Sequence, residues 1–218
     1  MSELSPALLL EISLRTLAVC LPALAIALAL GLPLGIAIGR RHFPGKVALA
    51  SLINTGMGAP PVVVGLLVYL ALERNGPLGG WSWLYTNQAM ILAQVAIALP
   101  LVVGISLAAV GALDENWELQ VRTLGVPARW RVWLLIREIR LGLLAAVITA
   151  LGGILSEVGA VMAVGGNLEG ETRVLTTAIL MHTQMGEFEV ALGLAAILVG
   201  LMLVLAGLLT CVQQGGRA

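Results

Sequence analysis

Stretches without a charged residue at 16–39, 47–72, 75–113, 141–156 and 190–216 decide what this chain can fold into. Each reaches or approaches the roughly 20 residues that a helix needs to cross a bilayer. The fourth continues past Glu157 to about Val164. In lipid a segment must satisfy its own backbone polar groups, so stretches of this kind are helices. With 59% of 218 residues hydrophobic, 11% charged and a mean hydropathy of +1.01, a water-soluble fold could not hide the apolar side chains. The chain therefore reads as an all-α integral membrane protein of about five transmembrane helices, near 14–39, 48–72, 88–111, 141–164 and 190–212. The rest is a charged loop at 112–140 within a single membrane domain spanning 1–218. A cleaved signal at the start is disfavoured, because Glu3 and Glu11 stand where a signal carries positive charge.

Net charge is zero, yet its sign is sorted. Arg40, Arg41 and Lys46 follow the first span, and Arg122, Arg129, Arg131, Arg137 and Arg140 follow the third. The opposite loops carry Glu73, Glu169, Glu171, Glu187 and Glu189 against Arg74 and Arg173. The positive-inside rule places the basic loops in the cytoplasm, with the N-terminus outside and the C-terminus inside a cell membrane. Cys20 and Cys211 sit in separate apolar spans with no metal-ligand spacing and read as packing residues.

The loop at 114–140 is a short charged helix-turn-helix between spans, suited to touching something outside the membrane. Asp114 can cap a helix whose first turn is acidic and whose last carries Arg122, and Gly125 and Pro127 then stop it. Trp117, Val121 and Leu124 fall on one apolar face of that helix. Beyond it, Trp130, Trp133 and Leu134 interleave with arginines. That pattern belongs at a membrane interface and argues against nucleic acid.

Inside the spans, Gly31, Gly35 and Gly39 repeat at four and Gly193, Gly200 and Gly207 at seven, leaving strips where another helix can approach closely, which reads as packing within the subunit ahead of a dimer interface. The second span holds Asn54, Thr55, Gly56, Gly58, Pro60 and Pro61, so it must kink or unwind. Irregular backbone at that depth is tolerated only against protein or a water-filled cavity, which makes this a candidate pathway helix. In the fourth span Gly152, Ser156, Gly159 and Ala163 form a small face beside Glu157. Fifteen helical residues rise about 22 Å, which puts that carboxylate inside the hydrocarbon, facing either a gate or a neighbouring helix.

Catalytic chemistry is missing. Gly45 and Lys46 are followed by Val47, with Arg40 where the first glycine of a nucleotide loop belongs, so no ATP-binding motif is present. His42 and His182 have no acid or cysteine spaced around them for a zinc site or a triad and read as surface residues. No metal or cofactor is expected on this chain.

These features resemble the permease subunits of binding-protein-dependent ABC importers over essentially the whole chain. In the family's loop signature, Glu-Ala-Ala, three residues and Gly, the matching places are Leu119, Gln120 and Val121, then Arg122, Thr123, Leu124 and Gly125. Glu118 is displaced by one position, Arg137 replaces the usual proline, and Arg129 and Trp130 complete the resemblance. The segment SEVGAVMAVGGN, Ser156 to Asn167, is similar to the oxyanion branch, and GAPPVVVGLLVYL at 58–70 with TRVLTTAI at 172–179 is most similar to tungstate permeases. The resemblance implies a type I importer fold and a pore made by two copies. It also implies a cytoplasmic ABC ATPase holding ATP and magnesium and an extracytoplasmic oxyanion-binding protein. Glu118, Gln120, Arg122, Thr123, Leu124, Gly125, Arg129 and Trp130 would then contact the ATPase. Asn54, Pro60, Pro61, Ser156, Glu157, Gly159 and Asn167 would line or gate the path. Molybdate or another anion as cargo, an ATP-independent carrier, and a non-transporting scaffold are the rival readings.

Overall fold

The computed structural model describes residues 5–114 and 116–215, so Glu3, Glu115 and Gly216 lie outside the described residues. The first helix, α1 (Pro6–Arg40), starts earlier than expected. Ser5 caps it by accepting from the Leu8 amide, Pro6 opens it, and Glu11 pairs with Arg15 one turn on at 2.6 Å. That internal pairing lets a charged start stay helical. The second span is two helices, α2 (Lys46–Met57) and α3 (Pro61–Leu72), bent by 98° across residues 58–60. Pro61 serves as the first residue of α3, where its missing amide costs nothing. Next come α4 (Asn87–Gly111), α5 (Trp117–Thr123) and α6 (Ala128–Glu138), and α6 turns by 60° into α7 (Arg140–Ser156). Then follow α8 (Gly159–Gly165), α9 (Leu175–Gln184) and α10 (Phe188–Gly215). Among the described residues, three helices are long and apolar enough to cross a membrane, and up to five spans result when each bent pair is one span.

Helix α4 is the axis of the bundle. A Cβ on Gly31, Gly35 or Gly39 would come within 2.7, 2.6 and 2.7 Å of Val102, the Val103 carbonyl and Val110 respectively, so α1 lies directly against α4. The central core is correspondingly small-sided, with Ala23, Ala27, Ala98, Val102, Ala150 and Ile154 from α1, α4 and α7. Apolar burial drives nothing between helices in lipid, so close van der Waals contact takes over that role.

Three expectations need correction. The second glycine strip does not pack inside the subunit, because Gly193, Gly200 and Gly207 have nothing within 4 Å of a built Cβ. The fourth span is not one helix to Val164. It stops at Ser156 and restarts at Gly159, so Glu157 lies at a break rather than mid-helix. Residues 175–184, read as outer loop, form α9, whose approach is announced only by the Thr177 hydroxyl accepting from the Val174 amide at 3.1 Å.

Candidate coupling and translocation site

The charged loop folds into α5 at one end of the bundle and is tied to the end of α1. Glu118 Oε1 accepts from Arg122 Nη2 at 2.6 Å and lies 3.5 Å from Arg40 Nη2. The Arg122 hydrogen bond, with a smaller contribution from Arg40, holds the Glu118 carboxyl below the ordinary carboxylate range. Beside this knot, Arg40, His42, Lys46, Asp114, Trp117 and Glu118 line a cavity of about 550 Å³. Arg40 and Arg122 therefore share an end. At the other, Arg15 Nη2 donates to the Gly170 carbonyl at 2.6 Å, so the loop with Glu169 and Glu171 sits beside the start of α1.

Asp114 caps differently from the expectation. Its Oδ1 accepts from the Asn116 amide at 2.7 Å, and its carbonyl accepts from Trp117, shaping the turn before α5. Trp117 and Val121 face inward, with Val121 8% exposed, but Leu124 is 79% exposed and does not share that face. It falls after the last turn of α5, where Gly125 at φ +69° bends the chain away. Gln120 and Thr123 are exposed, with Thr123 Oγ1 donating back to the Leu119 carbonyl at 2.6 Å. On α6, Arg129 and Trp130 are exposed, Trp130 meets Trp133 edge-on at 5.9 Å, and Arg137 lies 5.2 Å over the Trp133 ring. The arginine in place of the family's proline thus has a stacking partner. Arg40, outside the predicted set, belongs to this cluster; its place in the last turn of a span beside a basic loop was the available signal.

The interrupted spans meet each other through their second halves. A Cβ on Gly65 of α3 would fall 2.5 Å from Ala160 Cα of α8, and one on Gly159 would fall 2.5 Å from Val62 Cγ2. Pro61, Glu157 and Gly159 are thereby brought to one junction, and Glu157 is 7% exposed with Oε1 accepting from the Ala160 amide at 2.8 Å. Its carboxylate caps α8. Asn54, Pro60, Pro61 and Ser156 are exposed on this subunit. Asn167 is not part of the junction. It lies past the far end of α8 at φ 53°, its Nδ2 donating to Met181 Sδ at 3.5 Å. His182 also departs from expectation: it is 7% exposed, with Nδ1 2.6 Å from Glu187 Oε2 at the turn between α9 and α10. A spacing of five across a helix end hid that pair. Gln94 and Thr176, also outside the predicted set, bond to the break in the fourth span.

A bundle of interrupted spans with an anchored, outward-facing loop helix defines a membrane transport subunit. The chain belongs to the family described as binding-protein-dependent transport system inner membrane component, which matches residues 31–215, and it has the type I ABC importer permease fold. It is 41% identical over 208 residues to a probable anion ABC transporter permease protein of Haloferax volcanii, covering 93% of this chain and 90% of that one. It is 38% identical over 192 residues, 88% and 84% of the two chains, to the tungstate uptake system permease protein of Peptoclostridium acidaminophilum. Against the molybdenum transport system permease protein of Escherichia coli K12 the identity is 32% over 178 residues, 75% and 77% of the two chains.

Proposed function

We propose that this chain forms the translocation pore of an ATP-driven oxyanion importer whose cargo is tungstate, with ATP hydrolysed on a separate subunit. The observation that carries the reading is α5, which is short and exposed and is roped through Glu118 to Arg40 at the end of the first span. A force on α5 passes directly to α1 and, through the Gly31, Gly35 and Gly39 contacts, to α4. Gln120, Arg122, Thr123, Leu124 and Gly125 present the ATPase-facing surface, with Arg129 and Trp130 beside it. Two copies of the chain enclose the path. Support comes from Asn54, Thr55 and Ser156, polar groups within the spans that are exposed on the single subunit and need water or protein against them. Pro60, Pro61, Glu157 and Gly159 shape the gate, and Asn167 closes its outer end. The α5 end faces the cytoplasm, with the N-terminus outside, and a binding protein delivers the anion to the acidic end. Residues 1–218 act as one permease domain.

The cargo assignment rests on the tungstate permease relative and on the 58–70 and 172–179 segments. The molybdenum permease relative supports molybdate as the second reading. ATP-dependent uptake of tungstate, with molybdate as competitor, into vesicles holding this chain, its ATPase and its binding protein tests both. Uptake that requires all three parts and resists excess molybdate is the expected result. Uptake by this chain alone means a carrier, and preferential inhibition by molybdate reassigns the cargo.

A further inference from the structure

We infer that Gln94 and Thr176 are positioning residues that clasp the break in the fourth span, and that this clasp opens and re-forms as the pore changes access. The inference rests on the permease reading above. A helix that ends at Ser156 and restarts at Gly159 leaves unpaired carbonyls behind the break and unpaired amides beyond it. At membrane depth those groups need partners from protein. Some are local: Ser156 Oγ donates to Gly152 O at 2.8 Å and Gly153 O at 3.2 Å, and Glu157 Oε1 accepts from Ala160 N. The remainder come from other helices. Thr176 Oγ1, in the first turn of α9, donates to the Glu157 carbonyl at 2.9 Å, and Gln94 Nε2 of α4 donates at 3.5 Å to the Ile154 carbonyl, which also accepts from the Glu157 amide at 3.3 Å.

Both side chains are buried, Gln94 at 2% and Thr176 at 7% exposure. The clasp also reaches α1, because the Leu175 amide donates to Thr16 Oγ1 at 3.0 Å, so the first turn of α9 bridges the first span and the break in the fourth. Gln94 is only half used: its Oε1 is buried with no partner. A half-satisfied buried amide makes a poor permanent fastening and a serviceable exchangeable one, since shifting the break brings freed amides toward an acceptor already in place. A valine would fill the space of Thr176 equally well, so the hydroxyl has one evident use there.

The test is a spin-label distance measured across the whole broken span, from Leu141→Cys to Leu168→Cys, 39% and 42% exposed. The background carries Cys211→Ser and keeps buried Cys20. Labelled copies are diluted with unlabelled ones in the reconstituted complex, at rest and trapped with ATP and vanadate. The parent should show a narrow resting distance that shifts on trapping. Thr176→Val and Gln94→Leu, made separately, should each broaden or displace the resting distance, reflecting a conformational equilibrium moved roughly 5- to 100-fold by loss of one buried bond. Thr176→Ser should restore it. Should one variant fail to insert, the other carries the test. Parent-like distances in inserted variants, or a parent that shows no shift, overturn the clasp. The readout needs no cargo, so failure of tungstate uptake would refute the cargo assignment alone.

Discussion

Gly65→Ala tests the junction between the interrupted spans most directly. The added methyl would sit 2.5 Å from Ala160 Cα and 2.9 Å from its Cβ, and the first of these is backbone that cannot swing away. Carbon pairs rest at about 3.5–4.0 Å, so α3 and α8 must part by roughly 1–1.5 Å. Ala160 is fully buried and its amide is bonded to Glu157, so that displacement pulls on the break itself. Overpacking of this kind costs about 1–3 kcal/mol. At roughly 2–4 °C per kcal/mol for a chain of this size, Tm should fall by about 2–12 °C. The assay is thermal unfolding of the purified permease in one detergent, followed by uptake in vesicles, which should fall as well. Gly193→Ala is the matched control, with nothing within 4 Å, and it should hold or raise Tm because a helical glycine gains about 0.5–1 kcal/mol on becoming alanine. Equal Tm values for the two variants would refute the close contact between α3 and α8.

At Gly125, φ of +69° with open space around it means that valine suffers backbone strain of roughly 1–2 kcal/mol and no clash. Gly125→Val should insert normally yet uncouple ATP hydrolysis from uptake in reconstituted vesicles; intact coupling would sink the assignment of α5. Reversal of Arg122 to Glu should uncouple likewise, since it places a second carboxylate against Glu118. The Glu118 carboxyl titrates below its ordinary value of 4.5. Its anchoring is therefore complete above that value and is lost only as pH falls through the depressed folded value. ATPase capture by the permease should then be flat from pH 6 to 8 in the parent and weaker throughout in Glu118→Gln, and a parent that loses capture across that window would contradict the sign. Finally, the isolated permease should bind neither tungstate nor molybdate below micromolar concentration in calorimetry.

How much of this was legible in the sequence varies with the range of the interaction. The presence of apolar helices and the bend after Met57 follow from local rules: runs without charge, and Pro60–Pro61 stopping one helix while opening another. The stop at Gly125 is equally local. The break at Glu157 carries no proline, and its partners are distant: Thr176, 19 residues away, donates to the Glu157 carbonyl, and Gln94, 60 residues away, donates to the Ile154 carbonyl beside the Glu157 amide. Tertiary partners of that kind leave no period to read. Helical spacing places Leu124 on the apolar face only if α5 runs one residue further than it does, beyond the turn that Gly125 imposes. The two glycine strips look alike on paper, yet only one meets Val102, Val103 and Val110, because close approach is a property of the pair of helices.

A pore for a dianion ought, on simple electrostatics, to be lined with cations, and this one places its cations elsewhere. Arg15, the arginine deepest in the first helix, directs Nη2 to Glu11 and the Gly170 carbonyl. Arg40 and Arg122 share Glu118, and Arg173 faces Glu169 at 3.0 Å. Glu157, the acid at the junction, has the wrong sign for an anion site and is engaged with Ala160. If the binding protein sets selectivity, this distribution is what transport requires. A guanidinium free at the gate would hold the anion between the two access states, and release would then limit turnover. Introducing one makes the argument testable: Ser156→Arg should lower the maximal uptake rate while slowing release of preloaded tungstate. A faster transporter carrying that arginine would show that the path was limited by entry of the anion, and that a cation-free gate is not the design principle here.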